Sequence, residues 1–123
     1  REDYEAAEAT YSRLLDLDSA VVPALDGRGM CLIGQGRVQE AIQDFTKALE
    51  YDPTNVSALR HRASAHGFVE DYKSAENDLT QAIQQQPNNA DNYMRRAAVR
   101  MKMGRSEAAA DDQKAADLLR NSP

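Results

Sequence analysis

The feature that most constrains the fold of this chain is an internal repeat with a period of 34 residues. The stretch AIQDFTKALEYDPTN begins at Ala41, and a closely similar stretch, AENDLTQAIQQQPNN, begins at Ala75. The same interval relates further small and large residues: Ala75 and Ala109; Ala48, Ala82 and Ala116; Gly29, Ala63 and Ala97; Leu25, Leu59 and Tyr93. A period of this length is typical of solenoids, in which each unit buries its apolar face only against its neighbours.

The repeat divides the chain into three full units, 22–55, 56–89 and 90–123, preceded by residues 1–21 as the second half of an incomplete unit. Each unit contains two apolar patterns at helical spacing, such as Leu25 with Leu32 and Phe45 with Leu49 in the first unit. No window alternates with a period of two. We therefore predict an all-α solenoid of stacked antiparallel helix pairs, with seven helices and no sheet, as one continuous domain. Because the chain opens at Arg1 and on a half unit, we expect it to be a fragment of a longer protein.

Residues that begin and end helices recur at the same interval. Asn55 and Asn89 stand where a side-chain cap would satisfy free N–H groups of the next helix. Pro53 and Pro87 disfavour helical backbone at the residue before them, so we expect each to end a helix. The middle unit has Glu70 in the turn where the other units have glycine, and we expect this turn to form without one.

Composition excludes several classes of protein. No apolar run approaches the roughly 18 residues that a membrane span needs. The single cysteine, Cys31, excludes an internal disulfide, and its apolar neighbours favour a small core residue over a nucleophile. A net charge of −5 argues against non-specific nucleic-acid binding by the chain as a whole. We expect a cytoplasmic location, with an organelle or a secretory lumen left open; the acceptor sequence at Asn55 would carry a glycan only in a secretory compartment.

The sequence contains none of the motifs that indicate catalysis or a cofactor, such as a phosphate-binding loop or a paired-histidine zinc helix. His61 and His66 are five residues apart, which turns them about 140° from each other on a helix and suits a shared metal poorly. Asp111 and Asp112 have no matched base or nucleophile beside them. We therefore predict no catalytic residue, no metal and no cofactor, and do not expect an enzyme.

The positions that repeat resemble those of the tetratricopeptide repeat family. The resemblance lies in a large fourth residue, a small eighth, alanine twentieth and twenty-seventh, an aromatic twenty-fourth and proline thirty-second. The first unit carries all of them: Leu25, Gly29, Ala41, Phe45, Ala48 and Pro53. The resemblance implies a right-handed superhelix, in which the first helix of each pair lines a concave groove. Family members usually bind partners in that groove.

One departure from the family pattern is a spacing of charges that recurs in each unit of this chain. The seventh position of each unit is arginine, and an aspartate follows each arginine sixteen residues later. We predict three ion pairs that join the two helices of each unit: Arg28 with Asp44, Arg62 with Asp78, and Arg96 with Asp112. The alternative is that these arginines point into the groove and bind a ligand.

Charge separates between the helices, because acids concentrate in the second helices and arginines in the later first helices. The resemblance implies these groove residues: Asp26, Met30, Ile33, Arg60, His61, Ser64, Phe68, Met94, Arg95, Met101 and Lys102. Arg60 and Arg95 are suited to carboxylates of a ligand, since guanidinium groups bind them with paired hydrogen bonds. Met30, Phe68, Met94 and Met101 are suited to its apolar side chains, or else pack against neighbouring units.

Chaperone co-factors of this family hold acidic tails with a carboxylate clamp of lysine, asparagine and arginine. The corresponding positions here are Asp26, Met30, His61, Asp91 and Arg95, of which only Arg95 matches. The resemblance therefore implies that these units lack the standard clamp.

Together these features predict a non-enzymatic protein–protein interaction module, an adaptor or scaffold with a possible co-chaperone-like role. Its partner would be a peptide segment with acidic and apolar residues, bound in a concave and partly basic groove. One alternative is a structural role through exposed ends of the stack, where Leu14, Leu15 and Leu17 lie at one end and Leu118 and Leu119 at the other. A second is RNA binding through the basic first helices, for which a set of stacking aromatic residues is missing.

Overall fold

The computed structural model of the chain describes residues 2–122, with side chains from residue 3 onwards. It contains seven helices: α1 (Glu2–Leu17), α2 (Val22–Gly34), α3 (Val38–Tyr51), α4 (Val56–Phe68), α5 (Tyr72–Gln85), α6 (Ala90–Lys102) and α7 (Ser106–Arg120). Each helix packs against the helices before and after it, and α2 also contacts α4. No strand occurs between residues 2 and 122. The predicted all-α stack of seven helices is therefore confirmed, and we call α2, α4 and α6 the first helices and the others the second helices.

The predicted caps form as expected. The side chain of Asn55 accepts a hydrogen bond from the backbone N–H of Ala58 at 2.9 Å, and that of Asn89 accepts one from Asp91 at 3.0 Å. Helices α3 and α5 end at Tyr51 and Gln85, two residues before the prolines that were expected to stop them. Side-chain capping contributes about 1 kcal/mol at each such end, so these residues fix where α4 and α6 begin.

The turns within the three units share one backbone geometry, which requires a left-handed residue. Gly36 and Gly104 adopt φ values of +79° and +77°, and Glu70 adopts +61° at the equivalent position. In each turn the residue that follows donates its N–H to a carbonyl five residues back, as Asp71 does to His66 at 2.8 Å. A side chain in this region costs about 1–2 kcal/mol, so the middle turn forms without glycine, as predicted, but under strain.

Small residues allow the two helices of a unit to approach closely. Ala41, Ala48, Ala75 and Ala82 are fully buried, and they recur at the positions that set the repeat. Gly29 packs directly against the ring of Phe45, which is itself fully buried. The strict period therefore follows from packing, because a larger side chain at these positions would force the helices apart.

Helix α1 packs on α2 through rings laid over glycines. The ring of Tyr11 lies against Gly27 and that of Tyr4 against Gly34, so a β-carbon at either glycine would require the ring to shift. Leu15 continues this contact into a cluster that spans the first two units with Leu25, Leu49 and Leu59. The core is thus continuous from α1 into the stack.

One polar side chain is buried at a position that is alanine elsewhere. Asn92 aligns with Ala24 and Ala58 and is fully buried like them. Within the described residues, neither its amide nitrogen nor its amide oxygen has a hydrogen-bond partner. Such groups cost about 1–3 kcal/mol each when left unpaired, so Asn92 is a local weak point of the last unit.

Candidate functional site

The candidate groove is the surface formed by the first helices α2, α4 and α6. Two adjoining cavities open on it between α4 and α6. The first, of about 340 Å³, is polar and is lined by Ser57, Arg60, His61, Asn89 and Arg95, among others. The second, of about 190 Å³, is lined mainly by small and apolar residues: Ala63, Ser64, Gly67, Leu79, Ala98 and Val99. Arg60 and Arg95 line both cavities, so the polar cavity and the apolar cavity have these two side chains in common.

A polar cluster joins α2 to α4 at the first junction between units. One oxygen of Asp26 lies 2.8 Å from Nδ1 of His61, and the other accepts a hydrogen bond from the Ser57 hydroxyl at 2.6 Å. The His61 ring also stacks at a tilt on Phe45, with centroids 5.8 Å apart. Asp26 and His61 were both expected to face the groove, but their pairing with each other was not anticipated.

A second polar cluster joins α4 to α6. One carboxylate oxygen of Asp91 accepts from Nη2 of Arg60 at 2.6 Å and from Nε of Arg95 at 2.7 Å. Hydrogen bonding from Arg95 is the main cause that holds the pKa of Asp91 below its usual range, and both arginine charges add to it. The two arginines that were expected to bind a ligand's carboxylates therefore already share one from the protein.

These two clusters occupy the same three positions of the repeat. Adding 34 to Asp26, Ser57 and His61 gives Arg60, Asp91 and Arg95. At the first junction a carboxylate is held by a hydroxyl and an imidazole, whereas at the second a carboxylate lies between two guanidinium groups. The groove thus has an acidic residue near α2 and a cationic pair near α6.

The apolar residues expected in the groove fall into two groups. Phe68 and Met101 are 65% and 60% exposed, and Met30 is 41% exposed, so they remain accessible to a ligand. Ile33 instead packs against the core cluster around Phe45, and Met94 is half-buried. Ser64 lines the apolar cavity, and Lys102 is exposed at the end of α6.

The repeated arginines lie between helices. Arg28 donates two hydrogen bonds to Asp44, both at 2.8 Å, and the equivalent pairs Arg62–Asp78 and Arg96–Asp112 have distances between 2.7 and 3.0 Å. The three aspartates are buried, and they receive both arms of the guanidinium fork. The structure therefore brings together each pair that the sixteen-residue spacing predicts.

Each of these arginines also reaches the unit before it, a contact that the sequence analysis missed. Nη1 donates to the hydroxyl of Ser12, Thr46 or Thr80 at 3.2–3.3 Å from Arg28, Arg62 or Arg96. The signal was present, since the hydroxyl residues are themselves 34 residues apart. Each of these three arginines thus connects three helices, because its guanidinium group donates to an aspartate on one neighbouring helix and to a hydroxyl on another.

The positive charge of the groove is smaller than the sequence indicates. Arg100, counted among the basic residues of α6, donates to Glu76 at 2.7 Å and to Asp112 at 2.9 Å. Arg105 also contacts Glu76, and hydrogen bonding from Arg100 is the main cause that lowers the pKa of Glu76. Arg100 is therefore part of an internal network, whereas the cations predicted for the groove, Arg60, Arg95 and Lys102, lie outside that network.

Other candidate reactive residues lie outside the groove. Cys31 is buried, and burial raises the pKa of its thiol. His66 is largely covered, with its ring nitrogens 3.8 Å from Asp71 and from Asp78. The described part of the chain contains no group of three or more His, Cys, Asp or Glu residues that is arranged to hold a metal ion. Of the helices between residues 2 and 122, none is both long and apolar enough to cross a membrane.

The outer faces of the end helices expose apolar residues. Leu17 is 86% exposed, Leu14 is 45% exposed and Leu118 is 66% exposed, whereas Leu15 is buried and Leu119 is partly covered. Of the leucines named for the alternative of self-association, three are therefore accessible.

Comparisons with known proteins agree on the repeat. Family models described as tetratricopeptide repeat match residues 22–55 and 60–123. A stretch of 61 residues is 41% identical to a probable UDP-N-acetylglucosamine–peptide N-acetylglucosaminyltransferase SPINDLY of Hordeum vulgare; it covers 50% of this chain and 6% of that protein.

Solved structures are also similar. The first TPR of Spaghetti (RPAP3) bound to the HSP90 peptide SRMEEVD is 30% identical, with a TM-score of 0.77, and the match covers 85% of this chain and 84% of that one. A crystal structure of MamA has a TM-score of 0.91 at 24% identity and covers 97% of this chain and 70% of that one, a likeness of fold.

Proposed function

The chain belongs to the tetratricopeptide repeat family, and we propose that it is a non-enzymatic protein–protein interaction module that binds a peptide segment of a partner protein. The observation that carries this proposal is the pair of adjoining cavities between α4 and α6. One offers guanidinium groups, the other a small apolar recess, and both lie on the first helices.

The two cavities suit a peptide better than a small molecule. Pockets for small molecules usually enclose about 300–1,000 Å³ and cover most of the ligand. The apolar recess is smaller, at about 190 Å³, and the polar cavity beside it is open to solvent. A chain that places one apolar side chain in the recess and a neighbouring carboxylate at Arg60 or Arg95 would use both sites at once.

Exposed apolar residues extend this surface. Phe68 and Met101 lie at the ends of α4 and α6, the helices that line both cavities. Both side chains are more than half exposed and so accessible to a partner, and methionine adapts to different partners. We therefore infer that the partner segment carries apolar as well as acidic residues.

A similar structure supports the class of ligand. The RPAP3 domain is named with a bound peptide, SRMEEVD, that combines apolar residues with three acids. The present chain has Asp26 and Asp91 on the groove, so we propose a different preference among acidic peptides. We propose no sugar-transfer activity on the strength of SPINDLY, because this chain aligns with 6% of that protein.

A capture experiment tests the groove. The chain with Arg60→Glu and Arg95→Glu is compared with the wild type in pull-downs from lysate, read by mass spectrometry. The control carries Lys47→Glu and Lys114→Glu, which make the same change of charge on exposed positions of α3 and α7. Both variants must melt like the wild type.

Loss of specific proteins from the groove variant alone would support the proposal and name the partner. Equal capture by all three proteins would refute it.

Self-association is the second candidate function, favoured by the exposed Leu17 and Leu118. A mass that does not rise with concentration in light scattering would remove it.

A further inference from the structure

We propose that Asp91 is an internal competitor for the ligand's carboxylate, and that it sets which acidic peptides the groove accepts. The inference rests on the proposed function and deepens it. In this view Arg60 and Arg95 form the cationic site, and Asp91 occupies that site until a ligand displaces it.

The geometry places a single carboxylate oxygen between two cations. Oδ2 of Asp91 accepts from both arginines, at 2.6 and 2.7 Å, while its other oxygen accepts no hydrogen bond from the described residues. A carboxylate of a ligand would bind the same N–H groups more fully, because each guanidinium fork can hold two oxygens.

Unused donors remain at the site. Nε of Arg60 is buried and has no partner among the residues described, and Arg95 uses only its Nε. The terminal nitrogens of Arg95, whose side chain is 42% exposed, make no hydrogen bond to the described residues and can donate to a ligand oxygen. The side chain of Asp91 is 47% exposed, so a ligand can reach the arginines by displacing it.

The repeat shows what Asp91 adds. The equivalent residue one unit earlier is Ser57, which is neutral. With Asp91 in place the cluster at the second junction carries one net positive charge, and without it two. Asp91 is the second residue of α6, and its backbone N–H donates to the side chain of the cap Asn89, so its backbone is held in position while its side chain turns away.

The experiment measures binding of a fluorescent SRMEEVD peptide to the full chain by anisotropy. Wild type is compared with Asp91→Asn and with Asp91→Ser, the second of which installs the residue that the preceding unit already uses. Each of two partly exposed ion pairs is equivalent to a factor of about 1.5 to 5, so we expect both variants to bind about two- to thirtyfold more tightly.

Three controls make the result specific. Glu50→Gln removes one negative charge from an exposed position of α3 and should leave affinity unchanged. Arg95→Gln added to Asp91→Asn should abolish the gain. A peptide without carboxylates, SRMQQVN with an amidated end, keeps its arginine but has no group that could replace Asp91, and it should show no gain.

Several outcomes would overturn the proposal. These are a gain below twofold, a loss of affinity, an equal gain with Glu50→Gln or with the carboxylate-free peptide, or no peptide binding by wild type or by either Asp91 variant. In that last case Asp91 would not be what keeps carboxylates out. The proposed function is judged separately, since capture of a partner by wild type and its loss with the arginine variant do not depend on this peptide.

Discussion

Replacing Gly29 by alanine should have two opposing effects on stability, a gain in helix propensity and a loss in packing. The middle unit shows which change of the facing residue would remove the loss. A β-carbon at Gly29 would meet three atoms of the Phe45 ring, two of them at 2.7 and 2.9 Å. The equivalent contact in the middle unit is between Ala63 and Leu79. Alanine is therefore compatible with this fold where the facing residue is leucine.

The expected magnitude follows from two opposing effects. Alanine in place of glycine inside a helix stabilises it by about 1 kcal/mol. Overpacking a full core costs about 1–3 kcal/mol, and the Phe45 ring cannot swing into solvent because it is fully buried. We expect Gly29→Ala to lower the free energy of unfolding by about 0–2 kcal/mol. Phe45→Leu alone should cost about 1–2 kcal/mol through the space it leaves.

The decisive quantity is the coupling between the two changes. In the double variant the new methyl group fills space that the ring vacates, so we expect it to be about 1–2 kcal/mol more stable than the sum of the single effects. Urea unfolding followed by circular dichroism at 222 nm gives the four free energies. Ala63→Gly is the control, because it removes a methyl group beside Leu79 and should cost about 1 kcal/mol from helix propensity.

Additive effects would refute this account of the repeat. So would a Gly29→Ala variant that is more stable than wild type by the full 1 kcal/mol or so of the propensity gain, since the ring would then not be in the way.

The remaining predictions concern the turns, the buried amide, the ion pairs and pH. Glu70→Gly should raise the free energy of unfolding by about 1 kcal/mol by relieving the left-handed turn, whereas Glu70→Gln should not; equal melting temperatures for both variants would contradict this. Asn92→Ala should stabilise the chain by about 1–2 kcal/mol in urea unfolding, because it removes two unpaired buried groups at a position where alanine already fits twice, and a loss above 1 kcal/mol would show that the amide is bonded. Asp78→Leu should cost about 3–5 kcal/mol, because it leaves the charge of Arg62 without its acid. The double change with Arg62→Met removes both charges and should cost much less. A double variant as unstable as the single one would show that the unpaired charge is not the cause. Because its pKa is lower in the folded chain, Glu76 stabilises the fold above about pH 5 and loses that effect as pH falls. The melting temperature should therefore drop as the pH is lowered towards about 3.5. A Glu76→Gln variant whose melting temperature falls with pH as steeply as that of the wild type would contradict this.

The helices and the charged pairs within units could be predicted from the sequence because the repeat presents each of them three times. Arg28 and Asp44 are on neighbouring helices of one hairpin, and a fixed spacing is enough to bring them together. The hydroxyl partners follow the same logic, and a search for polar residues at the 34-residue interval would have found Thr46 and Thr80.

The groove was harder to predict because its contacts cross between units. Asp91 lies 31 residues from Arg60, a separation that no helical periodicity links. Its charge was noted, but nothing in the sequence indicates that it turns towards both arginines. Asn92 was missed for a related reason, since a polar residue beside Asp91 is expected at the surface until the packing of the first helix shows otherwise.

The arginine bridges have a consequence for how such a chain can change by duplication and deletion. Each bridge uses an arginine and an aspartate of one unit and a hydroxyl of the unit before, as Arg62 does with Asp78 and Thr46. An inserted copy of residues 56–89 would bring its own arginine and acid, would find a threonine behind it and would present another to the unit ahead. An inserted whole unit therefore keeps these three-helix bridges intact. A deletion of any other length between an arginine and its acid or its hydroxyl would change their spacing, so we expect gain and loss of sequence within the repeats to occur in multiples of 34.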